Sequence, residues 1–136
     1  MLKHLAAPDT RPSRVLLLGR SGFVAQHLIA EWQASGIPFE ALGRPDIDLT
    51  APSAEQFAEI VRIIETEAAR GIVYVHCKAG YSRSAGAAGA WLLATGRAAS
   101  ISDAIAALKT ARPGIVIRPE ILRALESFSA ATTARD

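Results

Sequence analysis

The patterned part of the chain opens on a four-residue apolar run, Val15-Leu16-Leu17-Leu18, closed by Gly19. A run of that length bounded by a turn residue reads as a buried strand. Phe23, Val24, His27, Leu28 and Trp32 then recur at helical spacing over residues 23–34, and Gly36 supplies the stop. Phe39 to Leu42 fits a second strand. Two prolines and two aspartates between Gly43 and Pro52 make a loop. Ser53 with Gln56 is a capping-box pair, and Phe57, Ile60, Val61 and Ile64 form one apolar face behind it. That helix stops at Gly71.

The β-branched run Ile72-Val73-Tyr74-Val75 is expected to be a strand that delivers His76 and Cys77. A helix should start at Ser82 or Arg83 and reach about Thr95, before Gly96. Its glycines lower intrinsic helix propensity, but its small side chains suit close packing against a sheet. Ser100 with Asp103 caps a further helix ending near Arg112-Pro113. Pro119, at a first-turn position, opens the last one. Strands alternating with helices predict an α/β fold, a three-layer sandwich with a mainly parallel central sheet of about four strands and helices on both faces. Trp32 and Trp91 fall on helix faces and are expected in the core.

Length adds that residues 1–136 suit one domain, with residues 1–13 as a flexible arm, 14–50 as a βαβ start and 51–136 as the remaining core. Half the residues are hydrophobic, so a core can form without disulfide or metal staples. Net charge is only +2, which favours anionic substrates and is too weak to indicate nucleic acid. There is no stretch long enough to span a membrane. A single cysteine, Cys77, cannot pair internally, which suits a reducing, cytoplasmic setting. No His/Cys/Asp cluster has metal spacing, so neither metal nor cofactor is expected.

The chemistry gathers where the strand of 72–75 meets the helix from Arg83. A buried strand brings Cys77 to the carboxyl edge of a sheet, where open α/β folds place ligands. The loop Lys78-Ala79-Gly80-Tyr81-Ser82 then returns to a helix N-terminus. Its backbone N–H groups can turn inward as a nest for a tetrahedral dianion such as phosphate, sulfate or vanadate. Gly80 lets the backbone bend closely, and the same field favours a thiolate at Cys77. Arg83 offers a planar fork for two phosphoryl oxygens, Ser84 a donor to the sulfur, and His76 a support behind the loop. Lys78 reads equally as a solvated charge or as a preference for substrates with extra negative charge. A lone cysteine can also be an ordinary buried residue at a strand end.

His76-Cys77-x-x-Gly80-x-x-Arg83-Ser84 resembles the signature of the protein tyrosine phosphatase superfamily, in its dual-specificity branch. A chance match at five fixed positions is on the order of 10⁻⁵ for a chain this long. Trp91-Leu92-Leu93, Ser102-Asp103-Ala104-Ile105, Ala111-Arg112-Pro113 and a terminal helix look like that family's downstream layout, so the resemblance covers about residues 45–128. It implies a phosphomonoester hydrolase acting through a phosphocysteine on Cys77, with an aspartic acid protonating the leaving group. Asp48 fits the family's acid position better than Asp46. The implied partners are phosphorylated proteins or other phosphomonoesters, phosphoinositides among them.

Residues 14–50 also resemble another family. Gly19-x-x-Gly22-x-x-Ala25 after a strand, with Arg44 downstream, is similar to the nucleotide-binding start of short-chain dehydrogenases and epimerases. The chain lacks residues for a nicotinamide half. The alternatives are thus a phosphate- or dinucleotide-binding module without turnover, or a chimera of a dehydrogenase-like start and a phosphatase-like end.

Overall fold

The computed structural model describes residues 14–43, 52–71, 73–77 and 82–134. In chain order the elements are β1 (Val15–Leu18), α1 (Phe23–Ser35), β2 (Phe39–Leu42), α2 (Ala54–Ala68), α3 (Arg83–Ala94), α4 (Ile101–Ala111) and α5 (Pro119–Thr133). β1 and β2 pair in parallel, Val15 opposite Phe39 and Leu18 opposite Leu42. α1 makes the crossover that parallel strands require.

Period-two alternation assigns the two faces of β1. Leu16 and Leu18 join Phe57, Ile60 and Ile64 of α2, Ala87 and Ala90 of α3, and Ile121, Leu125 and Phe128 of α5 in one buried cluster. Val15 and Leu17 are equally buried but face the other way. There the Trp32 ring of α1 lies 5.8 Å from Phe39, the register partner of Val15. Helices therefore cover both faces of the sheet, as the alternation of strands and helices implies. The α/β class holds.

The sheet is smaller than expected. Among the described residues it has two strands rather than about four. Residues 73–77 are not assigned to strand, although they keep a strand's alternation. Val73 and Val75 pack on the main core, while Tyr74 and His76 stack on each other with ring centroids 5.9 Å apart. A β-branched run fixes extended backbone and burial by local sterics. Ladder hydrogen bonds also need a neighbour at the right spacing and register, and the run alone does not encode that.

The helix ends follow the residues that mark them. Gln56 N–H donates to Ser53 Oγ at 3.2 Å, and Ser53 N–H to Gln56 Oε1 at 2.8 Å, closing the capping box. Gly36 stops α1 with φ at +67°, and Ile37 N–H reaches back to the Trp32 carbonyl at 3.0 Å. Ser100 Oγ caps α4 by accepting from Asp103 N–H at 3.1 Å. Pro119 opens α5. Two details differ from the sequence reading. Phe23 and Val24 belong to α1 but stand in solvent, so α1 buries only Ala25 fully. Trp91 is half-buried, its indole N–H donating to Glu65 and its ring lying 4.4 Å beneath Arg97.

Candidate active site

α3 is the element on which the site is hung. Ser84, Ala85, Gly86, Ala87, Gly89 and Ala90 are all buried, and no large side chain occupies that face. The close packing this allows is against helices rather than the sheet. A Cβ added to Gly86 would lie 2.7 Å from Ile121 Cγ2 and 3.3 Å from Phe57 Cζ. α3 is thus wedged between α2 and α5, which fixes where its N-terminus points.

The cysteine arrives at that N-terminus from the end of the 73–77 run. Cys77 is 5% exposed. Its Sγ lies 3.5 Å from Ser84 Oγ in the first turn of α3. A neutral thiol donates in this pair. Once the sulfur is ionised the hydroxyl donates instead, which offsets part of the cost of a buried charge. Arg83 is the first residue of α3 and half-buried. The Ser82 hydroxyl accepts from Arg118 N–H at 3.0 Å. That bond joins the start of α3 to the start of α5 across the chain.

The turn after β1 supplies the wall on the other side. Gly19 has φ at +92°, a conformation that favours glycine, and a Cβ there would stand 3.6 Å from Cys77 Cα. Gly19 N–H and Arg20 N–H both donate to the Leu42 carbonyl, at 2.7 and 3.1 Å. These bonds tie the turn that backs onto Cys77 to the end of β2. His76 is held below its ordinary pKa, first by burial and then by the positive charge of Arg112. Its imidazole is therefore neutral near pH 7, and among the described residues its buried Nδ1 has no hydrogen-bond partner.

Of the residues named from sequence, the structure brings Cys77 against Ser84, with Ser82 and Arg83 at the same helix start and His76 next to Cys77 in the chain. Lys78, Ala79, Gly80 and Tyr81, and both Asp48 and Asp46, lie outside the described residues. Three contributors were not visible as site residues in the sequence. Gly19 lines the back of Cys77, the charge of Arg112 adds to burial in lowering the His76 pKa, and the Arg118 N–H is held by Ser82. Gly19 was legible as a turn glycine. The pairing of residues 82 and 118 has no local signal, because it arises from the packing of α3 on α5.

The dual-specificity phosphatase catalytic domain profile matches residues 29–131. The mouse protein named phosphatidylglycerophosphatase and protein-tyrosine phosphatase 1 is 36% identical over 107 residues, which cover 77% of this chain and 54% of that protein. Its human counterpart is 35% identical over 107 residues, covering 77% and 52%. The chain spans about half the length of these two relatives. The crystal structure of PTPMT1 superposes with a TM-score of 0.69 and 31% identity, covering 90% of this chain and 79% of that one. Tk-PTP in its active form gives 0.70 and 29%, covering 88% and 79%. Such coverage reaches into the first half of the chain, and the profile already enters within α1. The short-chain dehydrogenase resemblance of residues 14–50 and the idea of a chimera are therefore not supported. The Gly19–Ala25 turn is built as expected, but it backs onto Cys77 as part of a phosphatase architecture. The chain belongs to the dual-specificity phosphatase family of cysteine-based phosphatases.

Proposed function

We propose that this chain hydrolyses phosphomonoesters through a phosphocysteine on Cys77. The observation that carries the reading is the buried Cys77 sulfur 3.5 Å from Ser84 Oγ, at the N-terminus of α3. The backbone N–H groups of residues 78–82 receive the phosphoryl oxygens, and Arg83 grips two of them as charge builds in the transition state. The thiolate attacks phosphorus, the bond to the leaving oxygen breaks, and Asp48 protonates that oxygen. Water, losing its proton to Asp48, then attacks the phosphocysteine. The P–S bond breaks, inorganic phosphate leaves, and the returning thiolate accepts the hydroxyl hydrogen bond of Ser84. His76 supports the loop from behind as a neutral imidazole.

The substrate class is a phosphorylated protein or a phospholipid headgroup. The names of the relatives cover both, and PTPMT1 has been crystallised with PI(5)P. A nucleophilic thiol works in a reducing compartment, which favours the cytoplasm or another thiol-reducing space. Kinetics on aryl and alkyl phosphates test the acid. Asp48→Asn is expected to slow the alkyl phosphate far more than the aryl phosphate, because the poorer leaving group needs the proton more. Vanadate is expected to compete with either substrate. The same pattern in Asp46→Asn, with Asp48→Asn unaffected, would reassign the acid.

A further inference from the structure

Three helices open on a serine, and one of these serines does not cap its own helix. Ser53 Oγ accepts from Gln56 N–H of α2, and Ser100 Oγ from Asp103 N–H of α4. Both of those serines have extended backbone, with ψ at 169° and 165°. Ser82, the N-cap of α3, has φ at −113° and ψ at −52°, and its side chain makes no bond to α3. It is 7% exposed, and its Oγ accepts from Arg118 N–H at 3.0 Å instead. A capping serine satisfies one of the N–H groups that a helix start leaves without an intrahelical partner. In α3 the ladder begins at Gly86 N–H, which reaches the Ser82 carbonyl at 2.8 Å. The N–H groups of Arg83, Ser84 and Ala85 come before it, and none of them has a hydrogen-bond partner among the described residues. This is the turn where Ser84 Oγ meets Cys77 Sγ.

We propose that Arg118 N–H holds the Ser82 hydroxyl off α3, so that the first N–H groups of α3 stay open to the phosphoryl group at Cys77. Ser82 is then a positioning residue. The segment that ends at Arg118, 36 residues further along the chain, controls how tightly the cysteine site takes an anion. Released from Arg118, Ser82 can return to the extended backbone of Ser53 and Ser100. Its oxygen then competes with the anion for the same N–H groups. The bond to Arg118 prevents that competition and leaves neither partner unsatisfied, because donor and acceptor meet each other's need. The inference rests on the phosphatase reading above and names what keeps that reading's phosphate site open.

Arg118 has φ at −72°, which proline also adopts, and residues 115–118 lie outside any helix. Arg118→Pro therefore deletes the N–H at a compatible backbone, whereas Arg118→Ala deletes the same side chain and keeps the N–H. The probe is inorganic phosphate, read by its protection of Cys77, the single cysteine, against alkylation by iodoacetamide. The dissociation constant for phosphate is expected to be roughly fivefold higher in Arg118→Pro than in Arg118→Ala. Adding Ser82→Ala to Arg118→Pro should bring it back toward the Arg118→Ala value, because the competing hydroxyl is gone. A bond that only holds structure predicts a double variant no better than the proline variant. Amide hydrogen exchange of the wild type is a second measurement that needs no substitution. Arg118 N–H should be protected throughout, and the N–H groups of Ser84 and Ala85 should gain protection when phosphate is added. Equal affinity in the two Arg118 variants, no recovery in the double variant, or no gain at Ser84 and Ala85 would overturn the proposal. A wild type that phosphate leaves unprotected would remove the phosphatase reading and this inference with it. Protection of the wild type without the expected pattern in the variants would remove this inference alone.

Discussion

Cys77 faces two opposing demands. It is almost wholly buried, and burial penalises a thiolate. Catalysis needs that thiolate, so the site must return hydrogen bonds and positive potential to the sulfur. Ser84 is the donor whose place is fixed, at 3.5 Å. Hydrogen bonds to charged groups contribute about 1.5–3 kcal/mol. Ser84→Ala is therefore expected to slow phosphocysteine breakdown about ten- to a hundredfold, leaving a burst followed by slow turnover in rapid-quench kinetics. A uniform loss of both phases would mean that Ser84 only holds structure. His76 makes a second prediction at this scale. Its folded-state pKa lies below the unfolded one, so the unfolded chain binds the extra proton first. Stability is then full above about pH 6.5 and falls as pH drops toward the folded value. His76→Gln should flatten that fall, as followed by urea denaturation across pH. The sequence made Cys77, Arg83 and Ser84 legible because phosphoryl chemistry demands those types at a fixed spacing around a tight loop. Gly19, Arg112 and Arg118 were hidden as site residues. Their parts depend on contacts between elements far apart in the chain.

The elements themselves were mostly written locally. The Ser53–Gln56 box, Gly36 beyond α1 and Pro119 at the head of α5 each act within one helical turn, so sequence places them well. The glycines of α3 were legible as close-packing positions, but not the identity of what they pack against. Gly86→Ala would press a methyl into Ile121 and Phe57 and should cost about 1–3 kcal/mol of stability by urea denaturation. Gly114→Ala, where a Cβ meets nothing within 4 Å, should change stability by less. If the two were equal, the wedge of α3 between α2 and α5 would not be what constrains it. Residues 73–77 show the opposite case. Their burial and alternation came from the side chains, whereas sheet membership depends on a neighbouring backbone.

For the whole molecule, the alternation of strands and helices gave the α/β class and the two-sided cover of the sheet. It overestimated the sheet, because two described strands suffice once α2, α3 and α5 supply most of the core. The glycine turn at residues 19–25 was ambiguous for a physical reason. A strand–turn–helix with small residues serves equally to approach a pyrophosphate or another backbone. In this fold it approaches the backbone of Cys77. The arrangement of β1, its turn, the 73–77 run and α3 thus converges on one sulfur atom. The most direct test is to mix the chain with a phosphoryl-labelled aryl phosphate, quench within milliseconds and map the label, beside steady-state turnover of Cys77→Ser. The expected result is label on Cys77 in the wild type and no turnover in the variant. Turnover retained by Cys77→Ser, or label on another residue, would contradict the account.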